Sequence, residues 1–251
     1  MLVVVPVDPP SEGVVLSSLV ETTSVTESEA VALYEAAVAD VLRAVDASGG
    51  DLLLNYRDRE TMPDGAVPSD ADPEAAVRAL ATDALGDVEG VRFERQVGSS
   101  RSARVGNTVT HLLEREDAGT VGVLEPTVPL VGRAEIDAAS MSLRRYDVVI
   151  GPSSGGRTYF AGFTEPIDFT DVYEGVALST LAGRAGDAGL DLGFSPFLPT
   201  VTSESGLCAT LAEIEARRVA ERPGAEATAA VVDDLGLGVG SEGALERAKD
   251  R

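Results

Sequence analysis

The chain has 251 residues, 42 of them acidic and 20 basic, for a formal charge of −22. That balance argues against a nucleic-acid partner, which calls for a basic face. A single cysteine, Cys208, excludes an intramolecular disulfide, and no run approaches the ~18 apolar residues that span a bilayer. The length suffices for one full α/β domain with a core on both faces of a sheet. Lys249 is the only lysine, so the other 19 basic residues are arginine. Acidic excess, scarce lysine and few aromatics predict a protein of a salt-rich cytoplasm, where ions screen the repulsion among carboxylates. A surface for a basic partner is the other reading of the same charge. Met1 to Pro6 places no basic segment ahead of its short apolar run, so no signal peptide is expected and the location expected is cytoplasmic.

Leu2 to Val7 reads as a first, central strand buried on both faces, and Asp8 to Gly13 as a loop. Thr26 and Glu29 form a capping-box pair that opens a helix. Its Val31, Tyr34, Val38, Val41 and Val45 recur at helical spacing, and Gly49-Gly50 closes it. Asp51 to Tyr56 is the second strand, and 57–72, polar and punctuated by Pro and Gly, a loop. Asp72 and Pro73 begin the next helix, and Val91 to Gln96 is a short third strand. A helix from about Ser102 shows Val105, Val109 and Leu112 on one face. It carries His111, the only histidine, which has no Cys or His companion and reads as a surface or core residue. Thr120 to Leu124 is the fourth strand, and a helix from about Ala134 to Leu143 follows.

Tyr146 to Phe163 is the stretch around which the rest is organised. An apolar run, Val148 to Ile150, breaks at Gly151-Pro152; Ser153-Ser-Gly-Gly156 follows, and Tyr159 to Phe163 leads back out. Strand, Gly-rich loop, strand is the reading, with the loop at the carboxyl edge of the sheet, where α/β proteins bind ligands. A helix ends near Gly189, and Leu190 to Leu198, interrupted by Pro196, suits an edge strand. The next helix runs from Glu204 to about Ala220, with Cys208 as a small core residue. The alternation predicts a three-layer α/β/α domain over residues 1–220 with a mostly parallel, mixed sheet. Residues 221–251 are predicted to be an acidic, Ala- and Gly-rich extension, partly flexible, within which Val231 to Gly238 docks a turn. Gly236-Leu-Gly-Val-Gly240 follows no strand and is read as a flexible tail.

The order of pieces resembles the GT-A fold of nucleotide-diphospho-sugar transferases, above all small single-domain proteins of bacteria and archaea that neighbour the phospholactate guanylyltransferases. Asp147-Val-Val-Ile-Gly-Pro152 with its glycine loop, through Gly162-Phe163, is the best match. Leu33-Tyr34 with Asp40, Arg104 after Gln96-Val-Gly98, and Pro129 also fit. The resemblance covers roughly 1–218 and implies a nucleotide or nucleotide sugar as ligand. It also marks departures. The basic phosphate segment after the first strand is matched by Leu16-Ser-Ser-Leu19, which has no charge. Four acidic positions fall on Thr127, Gly155, Thr200 and Thr202, with Gly156 and Arg157 at the two glycine positions.

No metal ligand set is therefore predicted, and no cofactor. Mg²⁺ or Mn²⁺ needs carboxylate oxygens, so one would bind only if Glu125 substituted for those lost. The candidate nucleotide-binding residues are Asp8, Arg104, Glu125, Thr127, Gly155, Gly156 and Arg157. Arg157 and Arg104 either meet phosphate or pair with local carboxylates. Ser153 to Arg157 is expected to wall a pocket opposite Asp8 to Gly13, and Arg101, just outside the matched Arg104 position, to matter little to binding. The functional reading is a glycosyltransferase-like or nucleotide-sugar-transferase-like protein. A non-catalytic descendant that binds a ligand or partner, and a nucleotidyltransferase, remain as alternatives.

Overall fold

The computed structural model describes residues 1–62, 71–222 and 224–247. The loop expected over 57–72 therefore falls partly outside the described residues, as do the last residues of the C-terminal extension. Seven strands form the main sheet: β1 (Leu2–Val7), β2 (Asp51–Tyr56), β3 (Arg92–Arg95), β4 (Val121–Leu124), β5 (Val148–Pro152), β6 (Thr158–Phe163) and β7 (Leu192–Phe194). Their order is β3-β2-β1-β4-β6-β5-β7. β6 alone runs antiparallel to its neighbours, pairing Val123 with Ala161 and Ile150 with Ala161. The remaining pairs are parallel, with Val4 opposite Leu53 on one side and Val123 on the other.

Side-chain alternation along β1 divides the core. Val3, Val5 and Val7 face one layer, with Leu33 and Val41 of α2 (Glu27–Asp46) and Val77 of α3 (Pro73–Leu85). Val4 faces the other, with Val105 and Val109 of α4 (Arg101–Arg115) and with Phe163. That is why β1 lacks alternation in its sequence: both of its faces are buried. The Thr26 and Glu29 capping box is present, with Thr26 N–H donating to Glu29 Oε2 at 2.8 Å. Asp72 caps α3 at Pro73, and Ser100 caps α4.

Two regions differ from expectation or add to it. A short helix, α1 (Ser17–Thr22), occupies the segment between β1 and α2, a stretch whose composition gave no signal for a helix. α5 (Arg133–Ser142), α6 (Ala177–Asp187) and α7 (Glu204–Val219) lie where the periodicity put them. Beyond them, the extension expected to be partly flexible holds α8 (Glu226–Asp234) and a hairpin of β8 (Leu237–Val239) and β9 (Leu245–Arg247), and Gly238, within the stretch read as a tail, lies in β8. Asp40 of α2 accepts the first free N–H groups of α8, from Ala227 at 3.0 Å and Thr228 at 2.8 Å. Arg247 closes the hairpin onto α2 through Glu29 at 2.6 Å. The partners lie 188 and 218 residues apart, so local composition could not show them.

Candidate functional site

β1, β2 and β4 end on the same edge of the sheet, and the residues that follow them meet there. Asp8 follows β1, Arg57 follows β2, and Glu125 follows β4. α4 starts at this edge and places Arg101 and Arg104, one turn apart, on the same face. Gly98, at φ +142°, permits the chain to pass against the start of that helix, because a Cβ there would lie 2.8 Å from Arg104 N. Asp8, Arg57, Arg101, Arg104 and Glu125 line a cavity of about 230 Å³.

Tyr34, from α2, fixes Asp8: its hydroxyl accepts Asp8 N–H at 2.9 Å and donates to Asp8 O at 3.3 Å. The Asp8 carboxylate lies 3.5 Å from Arg57 Nη1. Burial raises the Asp8 pKa, opposed by the charges of Arg57, Arg101 and Arg104. Arg104 is aimed by a chain of amides. Its Nε donates to Gln96 Oε1 at 2.8 Å, Gln96 Nε2 donates to Asn55 O at 2.7 Å, and Asn55 Nδ2 donates to Glu94 O at 3.2 Å. The terminal Nη groups of Arg104 have no partner among the described residues. Burial and the neighbouring Arg57 both press its pKa down, as befits clustered guanidinium groups without enough counter-charge.

A second cavity, of about 380 Å³, shares Ser18, Arg101, Glu125, Thr127 and Thr202 with the first. The two are lobes of one cleft. Arg101 pairs with Glu125 and lies 4.9 Å from the centroid of the Tyr173 ring, while the charge of Glu125 holds its pKa up. Val201 N–H donates to Thr127 O at 2.9 Å and so draws the 200–202 segment beside the end of β4. Arg157 reaches this lobe and donates to Thr202 Oγ1, which lies 3.0 Å from Thr200 Oγ1.

Of the residues predicted from sequence, Asp8, Arg104, Glu125, Thr127 and Arg157 line the cleft. Gly155 and Gly156 are not among its lining residues. They form a one-turn 3-10 helix, Ser154–Gly156, and Gly156 packs under Val176, whose Cγ1 a Cβ would meet at 2.6 Å. The wall expected from Ser153 to Arg157 thus reduces to Arg157, and that expected from Asp8 to Gly13 to Asp8. Thr127, Thr200 and Thr202 do come together. Arg101, read from sequence as lying outside the site, is at its centre. Arg57, Gln96 and Tyr173 were not anticipated either. A signal existed for Arg57, which is the first residue after a parallel strand, the position from which ligand loops converge.

A divalent cation fits these residues poorly. Glu125 is engaged by Arg101 and Asp8 by Arg57, so both carboxylates of the cleft already carry a cationic partner. Among the described residues, no group of three His, Cys, Asp or Glu side chains is placed to hold a metal ion. The cleft's positive charge is supplied by Arg57, Arg101, Arg104 and Arg157 instead.

No protein-family model matches the chain, and no curated protein does. Solved structures do. A provisionally assigned nucleotide-diphospho-sugar transferase from Desulfovibrio desulfuricans superposes with a TM-score of 0.70 at 22% identity, over 93% of this chain and 95% of that one. A cytidylyltransferase from Leptospira borgpetersenii superposes with a TM-score of 0.50 at 10% identity, over 93% of each. The chain has the α/β fold of these nucleotide-diphospho-sugar transferase-like structures. Among the described residues, no helix is long and apolar enough to cross a membrane.

Proposed function

We propose that the cleft binds the phosphate chain of a nucleotide or nucleotide sugar, and that the protein is transferase-like, passing a glycosyl or nucleotidyl group from such a donor. The observation that carries this is the convergence of Arg57, Arg101 and Arg104 at the carboxyl edge of β1, β2 and β4. Arginine meets phosphate oxygens bidentately and stays charged when buried. Guanidinium groups aimed at a leaving phosphate would stabilise the charge that develops there, the part a divalent cation otherwise plays. The missing basic segment after β1 is thus offset from β2 and α4, and activity is expected without added metal. The likeness to a cytidylyltransferase supports the same ligand class. Binding without chemistry is the second reading, favoured by the pairing of Asp8 and Glu125 with arginines, which leaves neither free as a base. We read the acidic surface as adaptation to high salt, and the buried, unpaired Cys208 as fitting a reducing cytoplasm.

Thermal-shift titration with nucleotides and nucleotide sugars, at about 2 M KCl with and without Mn²⁺, tests the proposal. A nucleotide should raise the melting midpoint without metal, and Arg104→Gln should abolish the rise. A midpoint that no nucleotide moves would remove the proposal.

A further inference from the structure

The run Val14 to Ser18, which leads into α1 and forms its first residues, walls part of the first cavity. This wall holds itself weakly. α1 has six residues, too few for a helix to persist by itself, and Leu19 is the residue it buries. Leu16, just ahead of it, sits at φ +51°, a left-handed conformation that is costly for a residue with a side chain and persists only where its surroundings impose it. Thr22 Oγ1 donates to Ser18 O and Thr23 Oγ1 to Leu19 O, both at 2.7 Å, contacts inside the segment itself.

A hold from outside comes from the far end of the chain. Arg247 Nη2 donates at 3.0 Å to Ser24 O, where the chain leaves α1. The same guanidinium grips Glu29 and donates to Leu235 O at 3.4 Å. One side chain thus joins the exit of α1, the start of α2 and the end of α8. Its base is fixed independently, since Asp40 caps α8 and Leu245 N–H donates to Glu204 at 3.2 Å. We propose that Arg247 is a positioning residue for the cleft: the C-terminal hairpin braces α1 and, through it, the wall made by Val14 to Ser18. The inference rests on the proposed function for its ligand, a phosphate chain, and on these contacts alone for the brace. Arg247 is not among the lining residues of either lobe and acts only through the segment it holds. Without it the wall frays, and binding must then order the wall as well, which weakens it. Such coupling is reciprocal, so a phosphate chain bound against the ordered wall tightens the hairpin in turn.

Isothermal calorimetry with inorganic tripolyphosphate, a phosphate chain without base or sugar, tests this together with amide exchange of the full chain. Arg247→Gln should lower tripolyphosphate affinity about three- to tenfold at a temperature where the variant is fully folded. The Leu19 and Val20 amides, which donate to Leu16 O, should exchange faster in it. Arg218→Gln, which loosens α8 by breaking the pair with Asp233, is the control and should change neither. In the wild type, tripolyphosphate should slow exchange at Leu245, and that slowing should disappear in Arg247→Gln; a merely stabilising contact would not link the two. Unchanged affinity in Arg247→Gln, or an equal loss in Arg218→Gln, would overturn the inference and leave the proposed function standing. If tripolyphosphate does not bind the wild type, the phosphate reading of the cleft falls and the exchange rates alone decide. Faster α1 exchange in Arg247→Gln but not in Arg218→Gln then upholds the brace, and equal rates remove it.

Discussion

Arg101 and Glu125 form an ion pair that ties the first turn of α4 to the chain leaving β4. The Glu125 side chain is 14% exposed, so its charge is poorly screened and occupies a guanidinium fork that a phosphate would otherwise use. An anionic ligand must compete with it. Glu125→Gln should therefore tighten nucleotide binding, by roughly five- to tenfold, about the effect of 1 kcal/mol. Isothermal calorimetry checks it. Weaker binding in the variant would show that the pair organises the cleft instead. Tight Mn²⁺ binding in the wild type that disappears in Glu125→Gln would show that the carboxylate holds a metal after all.

Arg101 itself should not be replaceable. Arg101→Ala strands Glu125 without its partner and uncovers the Tyr173 ring, so the fold should lose on the order of 1–3 kcal/mol and nucleotide binding should weaken with it. Arg115, exposed at the opposite end of the same helix, supplies the control, since Arg115→Gln removes a charge away from the cleft. Equal nucleotide affinity in Arg101→Ala and Arg115→Gln would place Arg101 outside the binding surface.

The sheet was legible because its strands announce themselves: Val148 to Ile150 and Leu2 to Val7 are apolar without alternation, as strands buried on both faces must be. Helices with local caps, such as Thr26 with Glu29, were legible for the same kind of reason. α8 was not, because the carboxylate that caps it is Asp40 on another helix. The cleft was half legible. Arg104 and Thr127 came from matched positions, whereas Arg57 and Arg101 belong to no motif and count only because parallel strands bring their loops to one edge. Arg101 shows the limit most sharply: three residues from a matched position, it reads as a bystander until α4 places it opposite Glu125.

Asp8 gives the cleft a pH signature. Burial raises its pKa in the folded protein above the ordinary aspartate value of 3.8. The folded state therefore holds this proton more tightly than the unfolded chain, and stability falls as pH rises through the folded pKa. The cost of the partly buried charge grows from the unfolded value upward and is full only above the folded pKa. Asp8→Asn should raise the melting midpoint at pH 7, and the gain should shrink on acidification and vanish below about pH 4, where both states are protonated. A gain that persists there, or a loss at pH 7, would mean that the pairing with Arg57 outweighs burial.

The surface charge makes a separate prediction. With 42 carboxylates against 20 basic groups, repulsion within the folded state is large at low ionic strength and fades as the Debye length shortens. The melting midpoint should rise between about 0.1 M and about 2 M KCl. Equal midpoints would remove the halophilic reading of the composition.

The last prediction concerns the C-terminal hairpin, which Arg247 joins to the start of α2. Its guanidinium donates to both Glu29 oxygens, at 2.9 and 2.6 Å, and to Ser24 O at 3.0 Å. Glu29 has two tasks, since it also accepts Thr26 N–H in the capping box. These contacts, Arg247 first, lower the Glu29 pKa from 4.5 to about 2. The sign is opposite to that of Asp8: the stabilisation is fully present above the unfolded value and is lost as pH falls through the folded one. Arg247 is 38% exposed, so solvent screens the pair, and Arg247→Gln should cost only about 1 kcal/mol at neutral pH. That difference between wild type and variant should close as pH falls from 4.5 towards about 2. Amide exchange gives a local readout. Leu245 N–H, which donates to Glu204 at 3.2 Å, should exchange slowly in the wild type and faster in the variant, while the amides of β1 stay unchanged. Rapid exchange at Leu245 in the wild type would show that the hairpin is not held against the body by this pair.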